Sequence, residues 1–104
     1  MPQANGQWKN RPALVLTPMR PFGDLLVCGI STQLRQAVEN FDETLAPGDA
    51  DFSGTGLAGA SLVRLGFVST VALTAVKGKI GAVAGSRHRR LLIRLAGYLN
   101  SLAT

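Results

Sequence analysis

Arg11-Pro12-Ala13-Leu14-Val15-Leu16-Thr17-Pro18, a turn around Pro21 to Asp24, and then Leu25-Leu26-Val27-Cys28-Gly29-Ile30-Ser31-Thr32-Gln33 form the stretch that decides the fold. Both apolar runs carry branched aliphatic residues and are bounded by Pro and Gly, so they predict two paired, well-buried strands. An antiparallel hairpin of these runs brings the start of the first beside the end of the second. Arg11 then lies near Ser31 and Thr32. A guanidinium fork matches phosphate oxygens, and hydroxyls add hydrogen bonds to them, so this corner is a candidate phosphate site. Out of context, the same residues also read as a surface cation at a strand start and a hydroxyl turn cap.

Bulk composition narrows the class. With 104 residues, 46% of them hydrophobic, the chain has length and apolar mass for one domain with one core. Polar or turn residues break every apolar run well before the roughly 18 residues that a bilayer span needs, so no transmembrane helix is expected. The first eight residues lack the basic start and apolar segment of a signal peptide, which predicts a cytoplasmic protein with no membrane partner. Cys28 is the only cysteine. It allows no intrachain disulfide, and its apolar strand makes it a small buried hydrophobe rather than a reactive thiol.

The net charge of +5 conceals an asymmetry: residues 1–51 hold all six acids and four cations, whereas residues 52–104 hold seven cations and no acid. A basic half-chain predicts an anionic partner. Nucleic acid, an acidic protein segment and a membrane surface all satisfy that charge, and so does a surface kept basic for solubility.

Residues 1–10 are polar apart from Trp8 and predict a flexible arm that docks through its indole. Beyond the hairpin, residues 41–45 alternate as a short half-exposed strand does. Residues 46–56 are dense in Pro, Gly, Asp and Ser and read as a turn-rich loop with little apolar surface to bury. Residues 61–63, 67–76 and 79–83 are rich in Val, Leu and Thr. Gly66, Gly78 and Gly81 interrupt them as bends or bulges of a small barrel would. About five short strands result. Ser86 is the expected N-cap of a single helix over residues 86–102. Its Leu91, Leu92, Leu95, Leu99 and Leu102 form a flank that should pack on the sheet. Arg87, Arg90 and Arg94 form a basic stripe on another flank, and together with Arg89 they crowd the helix N-terminus, where cations oppose the macrodipole and invite an anion.

Few side chains carry obvious chemistry. His88, the one histidine, falls on the apolar flank of the helix and reads as structural. No His or Cys pair has metal-ligand spacing, so neither a metal nor another cofactor is expected. Gly54-Thr55-Gly56 is too short for a phosphate-binding loop. Arg64 stands among apolar neighbours, where an unpaired charge is costly, and needs a partner. Gln33 is able to hydrogen-bond a base edge or sugar, or to end a strand in solvent.

The order and spacing of Arg11-Pro12-Ala13, Ile30-Ser31-Thr32-Gln33, Thr55-Gly56-Leu57, Ser61-Leu62-Val63-Arg64 and Lys79-Ile80-Gly81 resemble the PemK/MazF toxins over residues 10–99. The resemblance implies a mainly β domain with one C-terminal α-helix, an SH3-like β-barrel of the PemK/CcdB type. It implies a toxin of a toxin–antitoxin pair: a homodimeric, metal-independent endoribonuclease acting on single-stranded mRNA. The implied partners are single-stranded RNA and a cognate antitoxin, with DNA contacted only through the antitoxin complex. Arg11 and Ser31 match positions that the family uses at its catalytic centre and Thr32 occupies the neighbouring hydroxyl position, Arg11 as phosphate clamp and the hydroxyls orienting phosphate and sugar; Arg64 stands where some relatives carry an Arg paired with an Asp as acid and base, and Gln33 and Arg64 are expected to bind substrate. Two departures accompany the likeness. Relatives begin with a further strand ahead of the Arg-Pro motif, and some carry an Asp where this chain has Gly66. A catalytically inactive relative that binds nucleic acid or an antitoxin-like partner is the alternative implied.

Overall fold

A computed structural model describes residues 11–103. The arm expected over residues 1–10, with Trp8, lies outside the described residues. Among them the elements run β1 (Ala13–Pro18), β2 (Leu25–Ser31), β3 (Glu43–Leu45), β4 (Ser61–Val71) and α1 (Gly85–Leu102), with 3-10 turns at Leu34–Gln36, Ser53–Thr55 and Leu73–Ala75. The four antiparallel strands form one sheet in the order β1-β2-β4-β3, curled into a half-barrel with the helix packed on it. No helix among the described residues is long and apolar enough to cross a membrane.

The hairpin forms as expected, with Ala13 paired to Gly29 and Pro18 to Leu25. Its first strand is less buried than the apolar run predicts. β1 lies at the sheet edge, so only Leu16 is fully covered while Val15 stays 42% exposed. Four strands replace the five expected. Residues 61–63 and the start of 67–76 fuse into the 11-residue β4, because a large bulge carries the strand through its glycine. Arg64 pairs with Gly29 and Val68 with the adjacent Cys28, so Leu65, Gly66 and Phe67 have no counterpart on β2. Asp42 supplies the missing partner for this bulge, its carboxylate accepting the Leu65 N–H at 2.9 Å.

Residues 79–83 are not a strand. They lie against the Ser53–Thr55 turn instead, where the Ala82 N–H donates to the Gly54 carbonyl at 2.8 Å. Gly56 adopts φ +73°, and a Cβ there would collide with the Ile80 carbonyl, so this contact requires glycine twice over.

The core gathers Leu16, Cys28, Leu45, Val63, Leu65 and Leu91, with Leu14, Leu26, Phe41, Phe52, Leu57, Val83, Leu92 and Leu95 packed around them. Two expectations for α1 are corrected. Leu99 and Leu102 are 56% and 65% exposed, because an 18-residue helix, about 27 Å long at its usual rise, outruns the sheet beneath it. The helix starts at Gly85 with Ala84 as N-cap and no side-chain cap. Asp51 takes the place foreseen for Ser86 by accepting the Ala84 N–H at 3.0 Å from another part of the chain.

The first turns of α1 also touch both edges of the sheet. His88 Nε2 donates to the Val15 carbonyl of β1 at 3.1 Å; a carbonyl only accepts, so this nitrogen carries the proton. Arg87 donates to the Thr44 carbonyl of β3 at 3.4 Å and Arg94 to the Phe41 carbonyl just before it at 2.9 Å. Adjacent helix residues thus bridge the gap between β1 and β3, and their side chains occupy edge carbonyls that would otherwise pair with another strand.

Candidate functional site

Alternation along β2 sends Cys28 to the core and Val27, Gly29 and Ser31 to the opposite face. Residues directly opposed across a ladder share a face. Ala13 and Arg64 flank Gly29, and Leu62 is level with Ser31. Ser31 and Arg64 are therefore diagonal neighbours, with backbones roughly 7–8 Å apart. Ser31 and Arg64 thus share the face opposite the core cluster, where Leu62, level with Ser31, is fully buried. The β1–β2 ladder ends at Ala13↔Gly29, and Arg11, two residues ahead of it, is exposed.

The individual groups differ in how far they are already engaged. Ser31 Oγ accepts the Gln33 N–H at 3.0 Å, closing a turn, so its own proton remains available to an acceptor. Thr32 and Gln33 are exposed. No hydrogen bond among the described residues joins their side chains to Arg11 or Arg64. Arg64 is half-buried, and its partner is an aromatic ring: the guanidinium carbon lies 5.5 Å from the Phe67 centroid. Neither Arg11 nor Arg64 forms an ion pair among the described residues.

The helix arginines are another matter, and the expected invitation to an external anion is corrected here. Arg87 meets Glu43 at 2.9 Å, Asp49 at 3.0 Å and Asp51 at 2.9 Å. Arg90 forks onto Glu43 at 2.6 and 2.8 Å, and Arg94 reaches Glu43 at 3.2 Å. The anion is the chain's own: acids from β3 and the loop after it fill the space at the helix start. Arg89 remains exposed and outside the cluster.

Titration follows from these contacts. The Arg87 hydrogen bond, then the Ala84 N–H, pulls the Asp51 carboxyl down to about 2. Arg90 holds Glu43 below its ordinary value, and the Asp51 and Glu43 carboxylates push Arg87 and Arg90 above theirs. Burial, aided by the Asp42 charge, raises the Cys28 thiol to about 11.

Two concavities adjoin these regions. A crevice of about 50 Å³ lies between Pro12, Ala13, Leu14, Ile30 and the 80–83 segment, far below the roughly 300 Å³ at which small-molecule pockets begin. An open hollow of about 390 Å³ lies at the helix start, but Asp49, Asp51, Arg87 and Arg90 line it with charges already paired to one another. No cluster of three or more His, Cys, Asp or Glu suited to a metal occurs among the described residues. Arg11 and Arg64 are among the cations that meet no carboxylate among the described residues.

Sequence reasoning missed Asp42 as the anchor of the β4 bulge and Phe67 as the partner of Arg64. The three-residue spacing of Arg64 and Phe67 does not predict contact in a regular strand, where they would face opposite sides; only the bulge joins them. No family model matches the chain, and no curated protein matches it.

Proposed function

We propose that the chain is a PemK/MazF-like toxin with an SH3-like barrel: a homodimeric, metal-independent endoribonuclease of single-stranded mRNA, neutralised by an antitoxin. One observation carries this reading. Arg87, Arg90 and Arg94 of α1 are neutralised within the chain, while Arg11 and Arg64 meet no carboxylate among the described residues, and Ser31, diagonal to Arg64, keeps its O–H free of any acceptor among them.

In the reaction, the RNA 2'-oxygen gives its proton to solvent water and attacks phosphorus, the bond from phosphorus to the 5'-oxygen breaks, and that oxygen takes a proton back from solvent. The products are a 2',3'-cyclic phosphate and a 5'-hydroxyl. Negative charge grows on the non-bridging oxygens during this step, and preformed donors stabilise it most where water is thinned out. Arg11 clamps those oxygens, the Ser31 hydroxyl donates to one of them, and Thr32 orients the sugar. Gln33 and Arg64 bind the flanking nucleotides.

A long single-stranded RNA incubated with purified protein in chelator tests the reading. Cleavage lost in Arg11→Ala supports it; intact RNA, or retained growth arrest in Arg11→Ala, overturns it. The second reading, an inactive relative that binds RNA or an antitoxin, is favoured by Gly66 at the acid's place. Asp42, just ahead of β3, has its oxygens engaged by the Val38 and Leu65 N–H groups. Gel retardation without cleavage selects that reading.

A further inference from the structure

We propose that Phe67, backed by Arg64, is a stacking platform for one unpaired nucleobase of single-stranded RNA, beside the phosphate held by Arg11 and Ser31. The proposal rests on the RNA-binding reading above and adds a binding residue to it.

The seat is built from three features. The β4 bulge turns Phe67 toward the strand it skips, so that the ring settles over Gly29: a Cβ at that glycine would stand 3.0 Å from the ring. The Arg64 guanidinium lies 5.5 Å from the ring centroid, within the range of cation–π attraction. The ring nevertheless remains 48% exposed. A large aromatic held from two sides but left half-open, on the face that carries Ser31, suits a flat π-system that arrives attached to a phosphate. Nucleobases of a single strand fit this description, because every base offers a π-face whatever its sequence. Arg64 serves twice, orienting the ring and adding positive charge beside the backbone.

The test uses the whole protein and a short random-sequence 2'-O-methyl RNA, which lacks the hydroxyl needed for attack and stays intact. An abasic sugar–phosphate oligomer of equal length is the second probe. Binding is read by fluorescence anisotropy for wild type, Phe67→Leu, Phe67→Trp and Arg11→Ala, each checked for an unchanged thermal melt. Phe67→Leu is expected to weaken the base-bearing probe about tenfold and leave the abasic probe unaffected, while Phe67→Trp binds as wild type does. Equal losses on both probes, or none on either, overturn the platform. If wild type binds the RNA, Arg11→Ala weakens it and Phe67→Leu does not, the platform alone falls. If wild type binds neither probe, the RNA reading falls with it.

Discussion

Two clusters of arginine lie on this small fold, and they have opposite fates. At the helix start, Arg87, Arg90 and Arg94 are surrounded by Glu43, Asp49 and Asp51, and Arg87 is 12% exposed. Ahead of β1, Arg11 is exposed, and on the sheet Arg64 lies against the Phe67 ring and forms no ion pair among the described residues. Charge that is neutralised within the chain holds it together; charge left open is free to meet another molecule. Counting basic residues along the chain does not separate the two uses, whereas following each guanidinium to its partner does.

The largest expected effect comes from the closed cluster. Arg87→Met leaves three carboxylates facing one another without their shared cation, and unfolding by urea should reveal a loss of roughly 3–5 kcal/mol. Cleavage per folded molecule should stay unchanged. An equal loss of activity would mean that the two clusters work as one.

The open cluster should behave in the opposite way. Arg11→Ala should slow RNA cleavage on the order of 100-fold, as the removal of one donor to a developing oxyanion does in other enzymes, and should leave the urea midpoint in place. A shifted midpoint would make Arg11 a structural residue.

Acid separates them next. Glu43 and Asp51 bind protons less readily when folded than when unfolded, so the stability they add is complete above the ordinary carboxylate range and is lost as pH falls toward about 2 for Asp51. Thermal melts should hold level down to about pH 5 and then decline. In Arg87→Met that decline should flatten. A wild-type melting temperature independent of pH would show that the cluster adds nothing.

Smaller effects mark the rest of the molecule. The Cys28 thiol, raised to about 11 in the core, should resist a thiol reagent at neutral pH until denaturant is added; rapid labelling of the native protein would show that the sheet opens there. Leu99→Ser and Leu102→Ser, on the part of α1 that outruns the sheet, should alter stability by less than roughly 0.5 kcal/mol. A larger loss would mean that these residues are covered in solution.

The hairpin was legible because pairing two strands of 6 and 7 residues needs only local apolar runs and a turn, and both are written in consecutive letters. The burial of β1 was not legible: an apolar run looks alike at an edge and in the middle of a sheet, and strand order sets the difference. The β4 bulge shows the same limit. Gly66 announced an irregularity, but nothing in the letters says that three residues would be skipped or that Asp42 would satisfy one of them.

The sequence by itself determined a mainly β chain with one C-terminal helix, a hairpin of its first two strands, and a thiol sunk in an apolar strand. Tertiary structure alone decided which arginines are spent. Glu43 and Arg87 are 44 residues apart, and the strength of a charge pair depends on distance through space and on shielding from water, neither of which can be read along a chain. It also decided that Arg64 would face a ring, since only the bulge turns Phe67 to the same side of the sheet.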